Sequence, residues 1–139
     1  MYSDLKSVQI IISLLKKYNI KNIVISPGTR HTPLVHSLEN DTFFNCYSIV
    51  DERSASFFAI GLIEYLQEPV AICSTSGTAA ANYMSAANEA FYQQLPLLIL
   101  TADRNPYYLF QQEEQMIPQI NLFKEVWKKT VTLPIVRDD

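Results

Sequence analysis

The sequence predicts a doubly wound α/β domain, with a mostly parallel sheet and helices on both faces. Two observations carry this. Short apolar, β-branched runs alternate with segments of helical periodicity along the chain. The strand-like runs are hydrophobic along their whole length, as strands covered on both faces are.

The elements follow in order. Residues 3–17 open on Ser3, a good N-cap, and place Leu5, Val8, Ile12 and Leu15 at helical spacing. Asn22–Ser26 reads as a buried strand ended by the turn Pro27-Gly28. Thr32-Pro33 suits an N-cap and first helical position, so a short helix follows through Leu38. Phe43–Val50 is a second strand. Asp51 caps a third helix reaching Gln67, with Ala55, Phe58, Ala59, Leu62, Ile63 and Leu66 inward. Gly61 inside that helix suggests close helix–sheet contact. Val70–Thr75 is a third strand, Thr78–Gln93 a small-residue helix and Leu97–Ala102 a fourth strand. The polar stretch Asp103–Gln119 precedes a short helix at Ile120–Val126 and a short strand at Thr130–Pro134.

At 139 residues, with 48% hydrophobic and 18% charged side chains, the chain fits one folded domain. A net charge of -3 argues against a nucleic-acid module. No apolar run approaches the roughly 18–20 residues of a membrane span. The start MYSDLKSVQI lacks the basic and apolar regions of a signal peptide. Two cysteines, Cys46 and Cys73, are too few for a disulfide scaffold or zinc cage, and both fall on predicted strands as inert thiols. A reducing, cytoplasmic setting is the expectation. Only three glycines occur, Gly28, Gly61 and Gly77, which excludes a glycine-rich phosphate loop.

Ligands of open α/β sheets sit outside the carboxyl ends of the strands. There the sequence places Ser26-Pro27-Gly28-Thr29-Arg30-His31-Thr32, Asp51-Glu52-Arg53, Ser74-Thr75-Ser76-Gly77-Thr78 and Thr101-Ala102-Asp103-Arg104. Each has a plain reading: Asp51 as a helix cap, Glu52 as a complement to the helix dipole, the Ser/Thr/Gly segment as a turn. Arg30 and Arg104 on one rim also suit a carboxylate or phosphate ligand. His31 and His36 have no metal-ligand spacing and read as structural or solvated. Tyr107-Tyr108-Leu109-Phe110 reads as packing, or as cover by a neighbouring domain. The residues alone define a small-molecule site on an α/β domain.

Ser26-Pro27-Gly28-Thr29-Arg30, Val50-Asp51-Glu52-Arg53-Ser54-Ala55, the segment Cys73 to Asn82 (CSTSGTAAAN) and Leu100-Thr101-Ala102-Asp103-Arg104 occur in one order and at set intervals. Together, over about residues 5–134, they resemble the N-terminal pyrimidine-binding domain of thiamine diphosphate-dependent enzymes. The nearest resemblance is to the menaquinone-pathway carboligases that join decarboxylated 2-oxoglutarate to isochorismate. The resemblance implies the thiamine diphosphate-binding fold, pyrimidine domain. It implies that Glu52 is catalytic: it hydrogen-bonds the pyrimidine N1′, favouring the imino tautomer that takes a proton from thiazolium C2. It assigns Pro27, Gly28, Glu52, Thr75, Ser76, Gly77, Thr78 and Asn82 to the cofactor's pyrimidine half. Thr29, Arg30, Arg104 and Gln115 are assigned to substrate carboxylates. Two positions depart from the family pattern: Thr29 stands for a usual serine, and Glu113-Glu114 for a small Gly-Ala pair.

No Gly-Asp-Gly motif for Mg²⁺ and diphosphate occurs. The resemblance therefore implies that Mg²⁺ comes through a second domain, absent here, of the same or another subunit of a homo-oligomer. The substrates implied are a small 2-oxoacid and an anionic acceptor, and the domain alone is expected to be inactive. An acetolactate synthase-like carboligase, a 2-oxoacid decarboxylase and a non-catalytic partner-binding module are the alternative readings.

Overall fold

Four short parallel strands organise the molecule, and the computed structural model describes residues 3–134. The strands are β1 (Asn22–Ile25), β2 (Asn45–Ser48), β3 (Val70–Ser74) and β4 (Leu97–Thr101). Their order is β2-β1-β3-β4, with Val24 level with Tyr47 on one side and with Ile72 on the other. The chain steps outward from β1 to β2, then crosses back to β3 and β4. The direction therefore reverses between β1 and β3, which makes a crevice at their carboxyl ends.

Strand alternation divides the core into two layers. Ile23, Ile25, Ala71 and Cys73 face α1 (Lys6–Lys17) and α2 (Thr32–Glu39), meeting Val8, Ile12, Leu15, Leu34 and Leu38. Val24, Val70 and Ile72 face α3 (Glu52–Leu66), meeting Ala55, Ala59 and Ile63. Ile60 of α3 packs on Ala86 and Ala90 of α5 (Met84–Tyr92). The expected doubly wound parallel sheet, covered on both faces, is what forms.

Several local expectations are corrected. Ser3 does not cap α1: the helix begins after Leu5, and Ser3 Oγ accepts from the Leu5 N–H at 3.2 Å. Thr32 lies inside α2, where its hydroxyl donates to the Gly28 carbonyl at 3.2 Å, so it ties the helix to the preceding turn. The second strand shortens to Asn45–Ser48, because Phe43 and Phe44 sit in a turn built on Asp41.

On α3 the inner face is rotated from the expected one. Ser56 and Ile60 are buried, whereas Phe58 is exposed beside Tyr47. Gly61 touches no neighbour: a β-carbon there would have nothing within 4 Å. The expected helix Thr78–Gln93 is broken at Tyr83 into α4 (Thr78–Asn82) and α5. Tyr83 is fully buried, and its hydroxyl is tied to the sheet, 3.0 Å from the Cys73 carbonyl oxygen and 3.1 Å from Ser26 Oγ. Ile120–Val126 forms only a 3-10 turn at Gln119–Asn121 followed by turns, and Thr130–Pro134 is not a strand. Cys73 is buried as expected, but Cys46 is only half-buried. Tyr107 and Phe110 stand largely exposed on an irregular segment.

Candidate functional site at the β1–β3 crevice

The crevice holds a cleft of about 300 Å³ lined by Pro27, Gly28, Thr29, Glu52, Thr75, Thr78, Ala79, Asn82 and Gln115. Ligand pockets run from about 300 to 1,000 Å³, so this one suits a single small ring. The β1 turn supplies Pro27, Gly28 and Thr29, the start of α3 supplies Glu52, and the β3–α4 turn with α4 supplies Thr75, Thr78, Ala79 and Asn82.

Local chemistry fixes each wall. Asp51 caps α3, accepting from the Ser54 N–H at 2.7 Å; hydrogen bonding from Ser54, its side chain first and then its backbone, holds the Asp51 carboxyl below the usual range. The cap sets Glu52 in the first turn of α3, half-buried at the cleft. The β1 and β3 turns touch closely: a β-carbon on Gly28 would lie 2.6 Å from Thr75 Cβ. Only glycine permits that approach. Gly77 adopts φ +73°, a conformation L side chains rarely accept, and a β-carbon there would meet the Gln115 carbonyl oxygen at 1.6 Å. Two of the three glycines thus shape the cleft.

Of the sequence-assigned residues, the structure gathers Pro27, Gly28, Thr29, Glu52, Thr75, Thr78, Asn82 and Gln115 around one cleft. Ser76 and Gly77 are buried behind its wall, and Ser76 Oγ has no hydrogen-bond partner. The Gly77 N–H donates to Gln119 Oε1. Arg30 is exposed and outside the cleft lining. Arg104 is outside it too, and its Nη1 pairs with Glu113 Oε2 at 3.1 Å. Ala79 and Gln119 were not singled out by sequence reasoning. Ala79 lay inside the quoted CSTSGTAAAN segment, whereas Gln119 had no motif to mark it.

His31 lies beneath the same wall, 3% exposed, with neither ring nitrogen partnered. Burial pushes its pKa below 6.5, against a smaller opposing effect from the Ser26 backbone. Burial also pushes the Tyr83 hydroxyl up to about 12 and the Cys73 thiol up to about 12, so both stay protonated at neutral pH.

The donor set tests what the cleft can hold. Three threonine hydroxyls, an asparagine amide, a glutamine amide and the Glu52 carboxyl surround it, and Glu52 is its only charged lining residue. That set fits a neutral aromatic ring bearing hydrogen-bonding nitrogens. It does not fit a diphosphate, which needs cationic or metal partners. Among the described residues no cluster of three His, Cys, Asp or Glu side chains could hold a metal. No helix among them is long and apolar enough to cross a membrane.

This fold and cleft define a cofactor-binding α/β domain, and residues 5–122 match the family of the thiamine pyrophosphate enzyme N-terminal TPP binding domain. The chain belongs to that family. Among its curated relatives is the 2-succinyl-5-enolpyruvyl-6-hydroxy-3-cyclohexene-1-carboxylate synthase of Phocaeicola vulgatus. It is 45% identical over 139 residues, which is all of this chain and 25% of that protein. The enzyme of the same name from Bacteroides fragilis is 42% identical over the same span and 25% of its length. That of Desulfotalea psychrophila is 45% identical over 84% of this chain and 22% of its own. The chain thus spans about a quarter of the relatives it matches.

Solved structures share the fold. Benzoylformate decarboxylase from Polynucleobacter necessarius superposes with a TM-score of 0.74 at 24% identity, over 91% of this chain and 23% of that one. The thiamine diphosphate-dependent 4-hydroxybenzoylformate decarboxylase of Rhodococcus jostii gives 0.76 at 16% identity, over 87% and 23%.

Proposed function

We propose that this chain is the pyrimidine-binding part of a thiamine diphosphate-dependent carboligase, a transferase of the 2-succinyl-5-enolpyruvyl-6-hydroxy-3-cyclohexene-1-carboxylate synthase type. Its reaction joins a decarboxylated 2-oxoglutarate unit to isochorismate in menaquinone biosynthesis, in the cytoplasm. The supporting observation is one cleft at the β1–β3 crevice in which Glu52 stands among Thr75, Thr78 and Asn82. The names of the relatives support the substrates.

When bound, the cofactor supplies a carbanion equivalent for attack on a 2-oxoacid. The chain's own residues do the rest. Glu52 holds or moves a proton at the pyrimidine nitrogen facing it. Pro27, Gly28, Thr75, Thr78 and Asn82 orient the ring, while Ser76 and Gly77 shape the wall behind them. Thr29, Arg30, Arg104 and Gln115 bind substrate carboxylates. Diphosphate and Mg²⁺ belong to a second domain of the same or another subunit in a homo-oligomer, so residues 1–139 alone are inactive.

Product analysis of the full-length protein with 2-oxoglutarate, pyruvate and isochorismate tests the reading. Consumption of 2-oxoglutarate with isochorismate is expected; activity on pyruvate alone would overturn the substrate assignment. The Arg104–Glu113 pair favours a second reading, another 2-oxoacid carboligase or decarboxylase, because an arginine already neutralised anchors a second carboxylate less well. The same product analysis separates the two. Submicromolar binding of thiamine diphosphate to residues 1–139 alone would refute the half-site.

A further inference from the structure

Gln119 lies outside the cleft, yet its side chain ties one cleft wall, the β3–α4 turn, to the end of β4. Its Oε1 accepts from the Gly77 N–H, and its Nε2 donates to the Ala102 carbonyl at 2.9 Å and approaches Thr101 Oγ1 at 3.3 Å. Those partners are 42, 17 and 18 residues away in sequence. One amide therefore bridges the β3–α4 turn and the end of β4, using its acceptor toward one and its donors toward the other.

The strands already meet there through the Ala102 N–H and the Ser74 carbonyl at 3.1 Å, so Gln119 adds a second tie beyond the last rung of the ladder. The same segment presses the Gln115 carbonyl against Gly77 and brings Gln115 to the cleft. Gly77 sits between Thr75 and Thr78, both of which line that cleft. A shift of Gly77 therefore moves both threonines.

We infer that Gln119 is a positioning residue: its amide fixes the β3–α4 turn against the end of β4 and so sets Thr75, Thr78 and Gln115 around the bound ring. It does not touch the ring. The inference rests on reading the cleft as a pyrimidine site. Its geometric basis, however, can be measured without a ligand.

Gln119→Glu gives the sharper test because it keeps the size. A carboxylate still accepts from Gly77, but its other oxygen cannot donate to the Ala102 carbonyl; the protonated acid can. Gln119→Ala removes both ties.

In the full-length protein, thiamine diphosphate affinity by fluorescence titration with Mg²⁺ should fall roughly tenfold in Gln119→Ala, the scale of an unpaired buried group. In Gln119→Glu it should fall similarly at about pH 8 and recover toward wild type near pH 5. A purely structural loss would show no such recovery. Exchange of the Gly77 amide proton, without ligand, should accelerate in Gln119→Ala. Wild-type affinity in both variants at every pH, or unchanged Gly77 exchange, would overturn the positioning role. A wild-type protein that protects Gly77 but binds no thiamine diphosphate would overturn the pyrimidine-site reading, and this extension with it.

Discussion

The carbonyl oxygen of Gln115 occupies the space a β-carbon on Gly77 would need, 1.6 Å from that position. The contact joins a late, irregular segment to the turn after β3. Gly77→Ala must therefore displace residue 115 and also hold alanine at φ +73°. A loss of at least about 2 kcal/mol in denaturant unfolding is expected. A variant as stable as wild type would mean that residue 115 and the turn at Gly77 are not in contact.

Glu52 is held in place by the Asp51 cap rather than by bonds of its own carboxyl, so removing its charge should spare the fold. In the full-length enzyme, Glu52→Gln should lower turnover by about 10²–10⁴-fold, the usual share of a positioned acid or base. Its melting temperature should stay near wild type. Near-normal turnover would remove Glu52 from the proton path.

Tyr83 anchors the break between α4 and α5 to the underside of the cleft through Ser26 and the Cys73 carbonyl. Tyr83→Phe keeps the ring and removes both bonds, while the Cys73 carbonyl still accepts from the Ser26 N–H. About 1–3 kcal/mol of stability should be lost, read by thermal or urea unfolding.

His31 predicts a pH dependence. Its folded pKa lies below the ordinary 6.5, so the unfolded chain takes up the proton first as the solution is acidified. Its contribution is intact above pH 6.5 and declines as the pH falls below that toward the folded value. Urea unfolding across this window should show a steeper acid loss in wild type than in His31→Leu. Parallel slopes would place the titration elsewhere.

The Glu113 carboxylate holds Arg104 at 3.1 Å. The pair is partly exposed, so its strength is about 0–1 kcal/mol. Glu113→Gln should free the guanidinium and lower the KM for an anionic substrate by at most several-fold, an effect that fades with added salt. A raised KM would mean that Glu113 itself serves the substrate.

The sheet was legible because its central strands β1 and β3 are apolar and buried on both faces, and no helix pattern competes with NIVI or VAICS. The cleft was legible because four strand ends carry polar clusters in one order. What escaped the sequence depends on partners distant along the chain. Gln119 reaches residues 17 to 42 positions away. The break at Tyr83 comes from a hydroxyl bound 57 residues upstream, at Ser26. Gly61 misled for the opposite reason, since nothing crowds it. Caps at Ser3 and Thr32 had suitable chemistry, but their hydroxyls engage the backbone of neighbouring turns instead.

Among the described residues β4 is one edge of the sheet, and it reads Leu-Leu-Ile-Leu-Thr with every residue partly accessible. Such a border carries none of the lysines, prolines or bulges that discourage another chain from adding a strand. Expressed alone, residues 1–139 would recruit one another along it. Light scattering that rises with protein concentration would then report stickiness of this border, and would have to be separated from any assembly the working enzyme makes.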